Sequence, residues 1–208
     1  MQTLLERSPD ISVIIPVYNL EKHLTPMLIS LLAQDYGKYT HEIIFVLNNC
    51  TDDSEGVIRR SGLDCTIINC TKQGCGPARN AGFDISTGKY IWFMDGDDWL
   101  LSATAIRDVL DAVGDEDIIR IPFMSEHFRW QYFSMVWQYL FRRDFIEEFR
   151  FPDYQPSEDD AYTAVVLRKA GYDRGTHLLL PCVNHALYYY NYGREGSNMM
   201  RVARGEKI

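Results

Sequence analysis

Hydrophobic residues occur in short continuous runs separated by amphipathic segments through the first 115 residues of the chain. Four of these runs predict strands: ISVIIPVYN at 11–19, which is apolar and β-branched enough to be buried on both faces, HEIIFVL at 41–47, CTIINC at 65–70 and YIWFMD at 90–95. Each run is followed by a segment with helical character. This alternation predicts an α/β fold with a mostly parallel central sheet and helices on both of its faces.

Capping residues and apolar spacing predict the first helix. Thr25 suits the N-cap and Pro26 suits the first helical position. The side chains that follow helical spacing, and that we expect to pack on the sheet, are Leu24, Met27, Leu28, Leu31 and Leu32.

Similar signals predict the next three helices. Asp52 and Glu55 have the spacing of a capping box, and Gly62 is the expected C-terminal stop of the second helix. Pro77 opens the third helix, which we expect to end near Gly88. The fourth helix has a single apolar face, made by Ile106, Val109, Leu110 and Val113.

The pattern changes after residue 115. DIIRIPF at 117–123 predicts another strand, and SMVWQYLF at 134–141 alternates loosely and predicts a strand on a different face. SEDDAYTAVVLRKAG at 157–171 predicts a helix capped by Ser157. HALYYYNYG at 185–193 predicts a late strand.

Composition and charge limit the class of protein. The 208 residues are 46% hydrophobic, which is enough to fill the core of one domain. We expect a single domain over 1–208, with halves of about 11–115 and 116–200 and a flexible tail at about 198–208. The formal net charge of −8 argues against a broad nucleic-acid-binding surface.

The chain has the features of a cytoplasmic protein. Its start, MQTLLERSPD, lacks the apolar stretch of a signal peptide, and no run is long enough to span a bilayer. The five cysteines therefore indicate reduced thiols, and the spacing of Cys65, Cys70 and Cys75 fits no common zinc pattern. The histidines also match no metal-ligand spacing, and His185 favours a structural role.

Three carboxylates follow the fourth strand within four residues: Asp95, Asp97 and Asp98. They repel one another unless a positive group joins them, and Mg²⁺ or Mn²⁺ prefers such oxygen ligands. The alternative is a solvated acidic turn, which is the commoner origin of an isolated Asp-x-Asp triplet. Because ligands bind outside the carboxyl ends of parallel strands, the position of this cluster favours the metal.

Several motifs occur in a familiar order: SVIIPVYN, SLLAQDY, NNCTDDS, GCGPARNAGFDISTGKYIWFMDGDDWL and SEDDAY. Over about residues 11–200 the chain resembles the inverting family 2 glycosyltransferases, which have the GT-A fold, a Rossmann-like three-layer α/β/α architecture. Each motif alone is weak, but together they are specific. The resemblance implies that the first half binds a nucleotide diphospho-sugar and that the second half binds the acceptor and carries the catalytic group.

The resemblance also implies a set of donor contacts. The loop after the first strand would hold the base and ribose, the next two loops would read the base and approach the phosphates, and the late loop would close over the diphosphate. The implied residues are Pro16, Tyr18, Asn19, Asn48, Lys72, Gly74, Arg79, Asp95, Gly96, Arg194 and Ser197. Tyr18 could instead pack at a sheet edge, and Arg79 could form an ion pair on its helix.

Metal and catalytic roles follow from the same resemblance. Asp97 is implied as the best direct ligand of Mn²⁺ or Mg²⁺, with Asp95 near the metal or the ribose and Asp98 behind them. Asp159 is implied as the catalytic base and Glu158 as an orienting or capping group; an acid in the first turn of a helix is also favourable from the dipole alone. The base would be uracil by default, although Asn48 occupies a position where many members have an acid.

The sequence therefore predicts a metal-dependent hexosyl- or N-acetylhexosaminyl-transferase that moves a sugar from a UDP-sugar to an acceptor hydroxyl in the synthesis of a surface polysaccharide or glycoconjugate. The acceptor is expected to be a saccharide or a lipid-linked saccharide, with peripheral membrane contact as an option at the inner face. Alternatives are a sugar-phosphate nucleotidyltransferase and a non-catalytic nucleotide-sugar-binding module. Aromatic residues near 124–156 would either stack on sugars or form ordinary core: Trp130, Tyr132, Trp137 and Tyr139.

Overall fold

A computed structural model describes residues 8–125, 135–153, 158–173 and 175–191. In these ranges the strands are β1 (Ile11–Val17), β2 (His41–Asn48), β3 (Thr66–Cys70), β4 (Tyr90–Phe93), β5 (Trp99–Leu100), β6 (Ile118–Arg120), β7 (Phe123–Met124), β8 (Tyr139–Arg142) and β9 (Tyr188–Tyr189). The helices are α1 (Leu24–Leu32), α2 (Ser54–Arg60), α3 (Cys75–Ile85), α4 (Ala105–Val113), α5 (Arg143–Ile146) and α6 (Glu158–Lys169).

The central sheet has the strand order β3-β2-β1-β4-β8-β6. The first four strands of that order are parallel, and β8 is antiparallel to both of its neighbours. A second, small sheet has the order β5-β9-β7. The prediction of an α/β fold with a mostly parallel central sheet is confirmed, and the carboxyl ends of β1 to β4 lie along one edge.

Alternating side chains of the buried strands feed two separate cores. In β1, Val13 and Ile15 belong to a cluster that includes side chains of α1 and α4, whereas Ile14 belongs to a cluster with α3 and α6. Helices therefore cover both faces of the sheet, as a strand buried on both faces requires. The result is the expected arrangement of three layers.

The start of α1 differs from the prediction. The helix begins at Leu24, so that Thr25 lies inside the first turn and His23 occupies the N-cap without a side-chain capping bond. The carbonyl of Leu20 accepts the N–H groups of both His23 and Leu24, so a preceding turn already starts the helix. Leu32 is 50% exposed and does not pack on the sheet as expected.

The predicted capping box of the second helix is wrong. Asp53 is the N-cap, while the Asp52 carboxylate accepts the N–H of Ser54 at 3.1 Å and that of Glu21 at 2.9 Å. Glu55 pairs instead with Arg59 one turn later, at 2.7 Å. A long-range loop contact thus displaces the local motif.

Glycine marks two of the helix boundaries. Gly62 has a φ of +73° directly after α2, which confirms the predicted stop. The third helix begins at Cys75 rather than at Pro77, because Gly74 at φ +122° already turns the chain into it. It ends at Ile85, ahead of the predicted end near Gly88.

The prediction that 134–141 forms a strand on a different face is wrong. After a single 3₁₀ turn at Val136–Gln138, this segment enters the central sheet as β8, between β4 and β6. Trp137 and Tyr139 are fully buried in the cores, while Trp130, Tyr132 and Ser157 lie outside the described residues. Within the part of the chain that is described, none of the helices combines the length and the apolar character that crossing a bilayer requires.

Candidate active site at the carboxyl edge of the sheet

The loops after β1 and β2 are joined to each other at the edge where the parallel strands end. Asn19, at φ +50°, accepts the N–H of Thr51 through its side-chain oxygen at 2.8 Å, and its amide nitrogen donates to the Thr51 hydroxyl at 3.2 Å. Beside it, Tyr18 is 46% exposed, while Pro16 is buried within β1. Of these three residues predicted to contact the nucleotide, Tyr18 has an exposed ring, Asn19 connects the two loops and Pro16 is buried.

Asn48 holds the loop that follows β3. Its amide nitrogen donates to the carbonyls of Cys70 at 3.1 Å and Lys72 at 2.7 Å, and its oxygen accepts the N–H of Gly74 at 2.9 Å. The residue is only 4% exposed. Since both amide hydrogens already have acceptors, the geometry favours a structural role for Asn48 over the predicted contact with a base.

Lys72 and Gly74 follow β3 at the same edge. The Lys72 side chain is about two-thirds exposed and its Nζ lies 2.6 Å from a carboxylate oxygen of Asp153. This pair spans the mouth between the β3–α3 loop and the segment before α6, and exposed pairs of this kind are weak. Lys72 can therefore exchange Asp153 for another anion at little cost.

The acidic cluster forms a tight loop directly after β4 and Met94. The side chain of Asp95 is 28% exposed, Asp97 is partly exposed and Asp98 is buried. The main chain at Gly96 passes so close to the β1 loop that an added Cβ would lie 2.8 Å from Leu20 Cδ1. The loop is thus held against the end of β1, with Asp95 and Asp97 toward the open side.

Arg79 connects α3 to the acidic loop and to α6. It lies on α3 with its side chain 4% exposed, and its two terminal nitrogens donate to Asp95 at 2.7 Å and to Glu158 at 2.8 Å. Burial alone would lower the pKa of Arg79, but the charges of Asp95 and Glu158 outweigh it and hold that pKa above its ordinary value. The guanidinium also lies over the ring of Phe151, at 5.4 Å from its centroid.

This arrangement revises the expectation for Arg79. A phosphate that approached its terminal nitrogens would have to displace a carboxylate from a buried pair. Asn80, the next residue, exchanges two hydrogen bonds of 2.9 Å with the main chain of Phe151 and so fixes the same contact between halves. The role of Asn80 could not be predicted from the sequence, because its partner lies 71 residues away.

Asp159 lies in the first turn of α6, next to Glu158. Burial raises the pKa of Asp159 to about 6; Glu158 and Asp95 act in the same direction, and Arg79 opposes them. Burial therefore outweighs the favourable effect of the helix N-terminus on a carboxylate. A carboxylate whose pKa is near 6 is largely ionised at neutral pH and is a better base than an ordinary aspartate.

Asp98 is bonded to the strand β9 and the residues after it. Its carboxylate accepts the Tyr188 hydroxyl at 2.6 Å and the N–H of Asn191 at 2.8 Å. Burial, with the charges of Asp97 and Asp95, raises the pKa of Asp98 well above its ordinary value, and these two bonds oppose the rise. Tyr188 and Asn191 were not identified from the sequence, since the run YYYNY gives no sign of which residue faces the loop.

The oxygen-rich loop fits a hard divalent cation. Among the described residues, no group of three or more His, Cys, Asp or Glu side chains is arranged as a metal cage. An ion here would have one or two carboxylates, from Asp97 and Asp95, with the remaining ligands from phosphate and water, as is usual for Mg²⁺. One oxygen of Asp95 already accepts a hydrogen bond from Arg79.

Two of the residues predicted to contact the diphosphate, Arg194 and Ser197, lie outside the described residues.

His185 lies on the surface, where its Nε2 is 3.3 Å from Asp108 on α4. The five cysteines are free, and burial raises the pKa of Cys75 to about 12, which keeps its thiol neutral.

Comparison with known proteins gives a matching family model and several related sequences. Residues 12–174 match the model of the family described as glycosyl transferase family 2. In Bacillus subtilis, the minor teichoic acid biosynthesis protein GgaB is 26% identical over 95% of this chain, and the uncharacterized glycosyltransferase EpsJ is 28% identical over 78% of it. The chain spans 25% and 57% of the length of these two relatives.

Solved structures show the same fold. A fragment of S. aureus TarS in complex with UDP-GlcNAc has a TM-score of 0.75 at 23% identity, covering 92% of this chain and 60% of the fragment. The mannosyltransferase PcManGT from Pyrobaculum calidifontis, in complex with GDP-Man and Mn²⁺, has a TM-score of 0.73 at 16% identity, covering 96% of this chain and 61% of its own. The expected GT-A fold is confirmed.

Proposed function

The chain belongs to glycosyl transferase family 2, and from that premise we propose that it transfers a sugar from a nucleotide diphospho-sugar to an acceptor hydroxyl, with inversion at the anomeric carbon. The observation that carries this proposal is the Arg79 bridge, which brings Glu158, and with it Asp159, to the acidic loop that ends β4. A proton acceptor and an oxygen-rich anion site thus share one edge of the sheet.

The donor would lie across the loops that follow β1 to β4. In this proposal Pro16, Tyr18 and Asn19 hold the nucleoside, with uridine as the first candidate, and the exposed ring of Tyr18 stacks on the base. Lys72 moves from Asp153 to the diphosphate, beside the main chain of Gly74 and Gly96. Arg194 and Ser197 are assigned to the diphosphate by family resemblance alone. Support for a uridine donor comes from the UDP-GlcNAc that the structurally similar TarS fragment binds.

Asp97 would be the direct ligand of Mn²⁺ or Mg²⁺, with Asp95 as the second carboxylate. When bound, the cation neutralises charge on the departing diphosphate. Arg79 holds Asp95 by one oxygen and so fixes its orientation. Arg79 and Asn48 thereby serve as positioning residues rather than as contacts to the phosphates and the base.

Asp159 would act as the general base. Its carboxylate takes the proton of the acceptor hydroxyl while that oxygen bonds to the anomeric carbon, and the bond from this carbon to the diphosphate oxygen breaks on the opposite face. Its raised pKa suits the task, because the proton is transferred most readily to a base whose pKa is near the working pH. Glu158 orients the first turn of α6 through Arg79.

The acceptor is proposed to be a saccharide or lipid-linked saccharide of a surface polymer, and the sugar a hexose or N-acetylhexosamine. The name of GgaB, a teichoic acid biosynthesis protein, supports a polymer at the cell surface. We propose that the reaction occurs in the cytoplasm, at the inner face of the membrane if the acceptor is lipid-linked.

A product assay with nucleotide-sugars tests this function. Incubation of the protein with Mn²⁺, a panel of UDP-, GDP- and TDP-sugars and candidate saccharide acceptors is expected to release a nucleoside diphosphate and to add the sugar to the acceptor. Release of pyrophosphate, with a sugar phosphate and a nucleoside triphosphate as substrates, would instead indicate a nucleotidyltransferase. Binding without any product would indicate a non-catalytic module and overturn the proposal.

A further inference from the structure

The hydroxyl of Tyr188 lies between two members of the acidic loop. It accepts the main-chain N–H of Asp95 at 3.1 Å and donates to the Asp98 carboxylate at 2.6 Å. A phenolic hydroxyl has one hydrogen to donate and can accept at the same time, so both bonds form together. The two ends of the loop, 95 and 98, are thus tied to one atom of β9.

A second pair of bonds comes from Asn191, just after β9. Its N–H donates to the other oxygen of Asp98 at 2.8 Å, and its side-chain amide donates to the carbonyl of Asp97 at 3.2 Å. Each of the three acidic residues of the loop is therefore hydrogen-bonded to the segment 188–191. We call these four bonds the β9 clamp.

The ring of Tyr188 is fixed by its neighbours. The residue is fully buried, its ring stacks on Trp137 with centroids 4.9 Å apart, and it lies tilted against Trp92 at 6.1 Å. Packing thus sets the place of the hydroxyl independently of the acidic loop. The hydroxyl therefore gives the loop a fixed point on β9, in addition to the contacts of Gly96 with Leu20 and of Asp95 with Arg79.

We propose that Tyr188 is a positioning residue for the donor site: through the β9 clamp its hydroxyl sets the main-chain path from Asp95 to Asp98, and hence the direction in which the Asp95 and Asp97 carboxylates face a cation and a nucleoside diphosphate. This proposal rests on the proposed function, because it assigns the cation and the diphosphate to this loop. Tyr188 itself is too deeply buried to touch either ligand. Residues that orient metal ligands in this way commonly affect metal affinity by about ten- to a hundred-fold.

The test replaces Tyr188 by Phe, which keeps the ring and its packing and removes the hydroxyl. Binding of the uridine, guanosine and thymidine diphosphates is measured by calorimetry with Mn²⁺ and with chelator, and binding of Mn²⁺ by electron paramagnetic resonance. We expect Tyr188→Phe to weaken Mn²⁺-dependent binding by about ten-fold or more and to leave Mn²⁺-independent binding unchanged. Tyr139→Phe is the matched control, because its buried hydroxyl has no hydrogen-bond partner within the described residues.

Equal Mn²⁺-dependent affinity in Tyr188→Phe and the parent would overturn the clamp while leaving the proposed function intact. A parent that binds none of the three diphosphates would overturn both. If Tyr188→Phe does not fold, Asn191→Ala decides, since Asn191 is half-buried and the change removes only the bond to the Asp97 carbonyl. That variant is then expected to bind Mn²⁺ more weakly than the parent, and unchanged Mn²⁺ binding would overturn the clamp.

Discussion

The guanidinium of Arg79 lies 2.8 Å from the carboxylate of Glu158, and this bond joins α3 to α6. The two residues are 79 positions apart in the sequence. The same guanidinium holds Asp95 at 2.7 Å, so one buried cation is shared by two carboxylates. The buried guanidinium of Arg79 thus connects α3 to both the acidic loop and α6. Removing one partner of such a contact destabilises the protein strongly, because the remaining charges stay buried without a partner.

We predict that Arg79→Met lowers the free energy of unfolding by about 3–5 kcal/mol, because Asp95 and Glu158 are left without their partner. Urea denaturation at neutral pH measures this loss. Arg59→Met is the control, since Arg59 pairs with Glu55 on the surface of α2 and is 63% exposed. It should cost about 0.5 kcal/mol or less. Equal losses in the two variants would show that the Arg79 bridge is not a strong contact.

We predict that Asp159→Asn lowers turnover by about a hundred- to ten-thousand-fold, because an amide cannot take the acceptor proton. Donor affinity should be nearly unchanged. The melting temperature at neutral pH should be equal or higher, since burial disfavours the charge of Asp159 and the amide removes that charge. Asp160→Asn, in the same helical turn, is the control and should leave turnover within a few-fold. Near-normal turnover in Asp159→Asn would exclude it as the base.

The pH dependence of kcat/KM should report the pKa of Asp159. The base acts when deprotonated, so kcat/KM is expected to rise as the pH rises through about 6 and then to level off. In Glu158→Gln the midpoint should move to lower pH, because the charge of Glu158 is one of the causes that raise this pKa. A flat profile between pH 5 and 7, in a range where the protein stays folded, would contradict the assignment.

We predict that Asn48→Asp lowers the free energy of unfolding by about 2–4 kcal/mol, because the carbonyls of Cys70 and Lys72 would then face an acceptor instead of two donated hydrogens. Asn49→Asp is the control: its amide makes a single exposed bond, to the carbonyl of Thr71 at 3.2 Å. Chemical denaturation of both variants measures the difference. A stable Asn48→Asp variant whose preference shifts toward uridine diphosphate would restore the role of Asn48 in reading the base.

Nucleoside-diphosphate binding should depend on a divalent cation through Asp97. We predict that chelator weakens binding to the parent strongly, and that Asp97→Ala binds as weakly with Mn²⁺ as the parent does without it. Asp115→Ala removes one exposed negative charge elsewhere and controls for net charge. Calorimetry with and without chelator makes the comparison. Equal affinity under both conditions in the parent would remove the metal from the proposal.

The parallel strands could be predicted from the sequence. A strand that is buried on both faces leaves a continuous apolar run, such as that of β1. The location of the site followed from the same rule, since ligands bind beyond the carboxyl ends of these strands. The partner of β8 could not be predicted, because alternation within 134–141 does not indicate which strand it will pair with. Pairing with β4 depends on residues about fifty positions earlier.

Side-chain roles were harder to predict than positions. Asn48 and Arg79 lie at the edge where the parallel strands end, yet their hydrogen-bonding groups are used within the protein. The partners that use them lie 16 to 79 residues later in the chain, beyond any local pattern. The raised pKa of Asp159 could not be predicted for the same reason, since the burial of this residue depends on how α6 packs rather than on its place in the helix.

The β9 clamp joins residues that are made at different times during synthesis of the chain. A nascent chain emerges from its N-terminus, so Asp98 leaves the ribosome 90 residues before Tyr188. The parallel pairs of β1, β2, β3 and β4 can close during that interval, whereas the acidic loop still lacks every bond from 188–191. Until those residues arrive, the loop consists of neighbouring carboxylates that repel one another. On the proposal above, the loop becomes able to bind ligand only after residues 188–191 have emerged, later than the parallel strands that carry it.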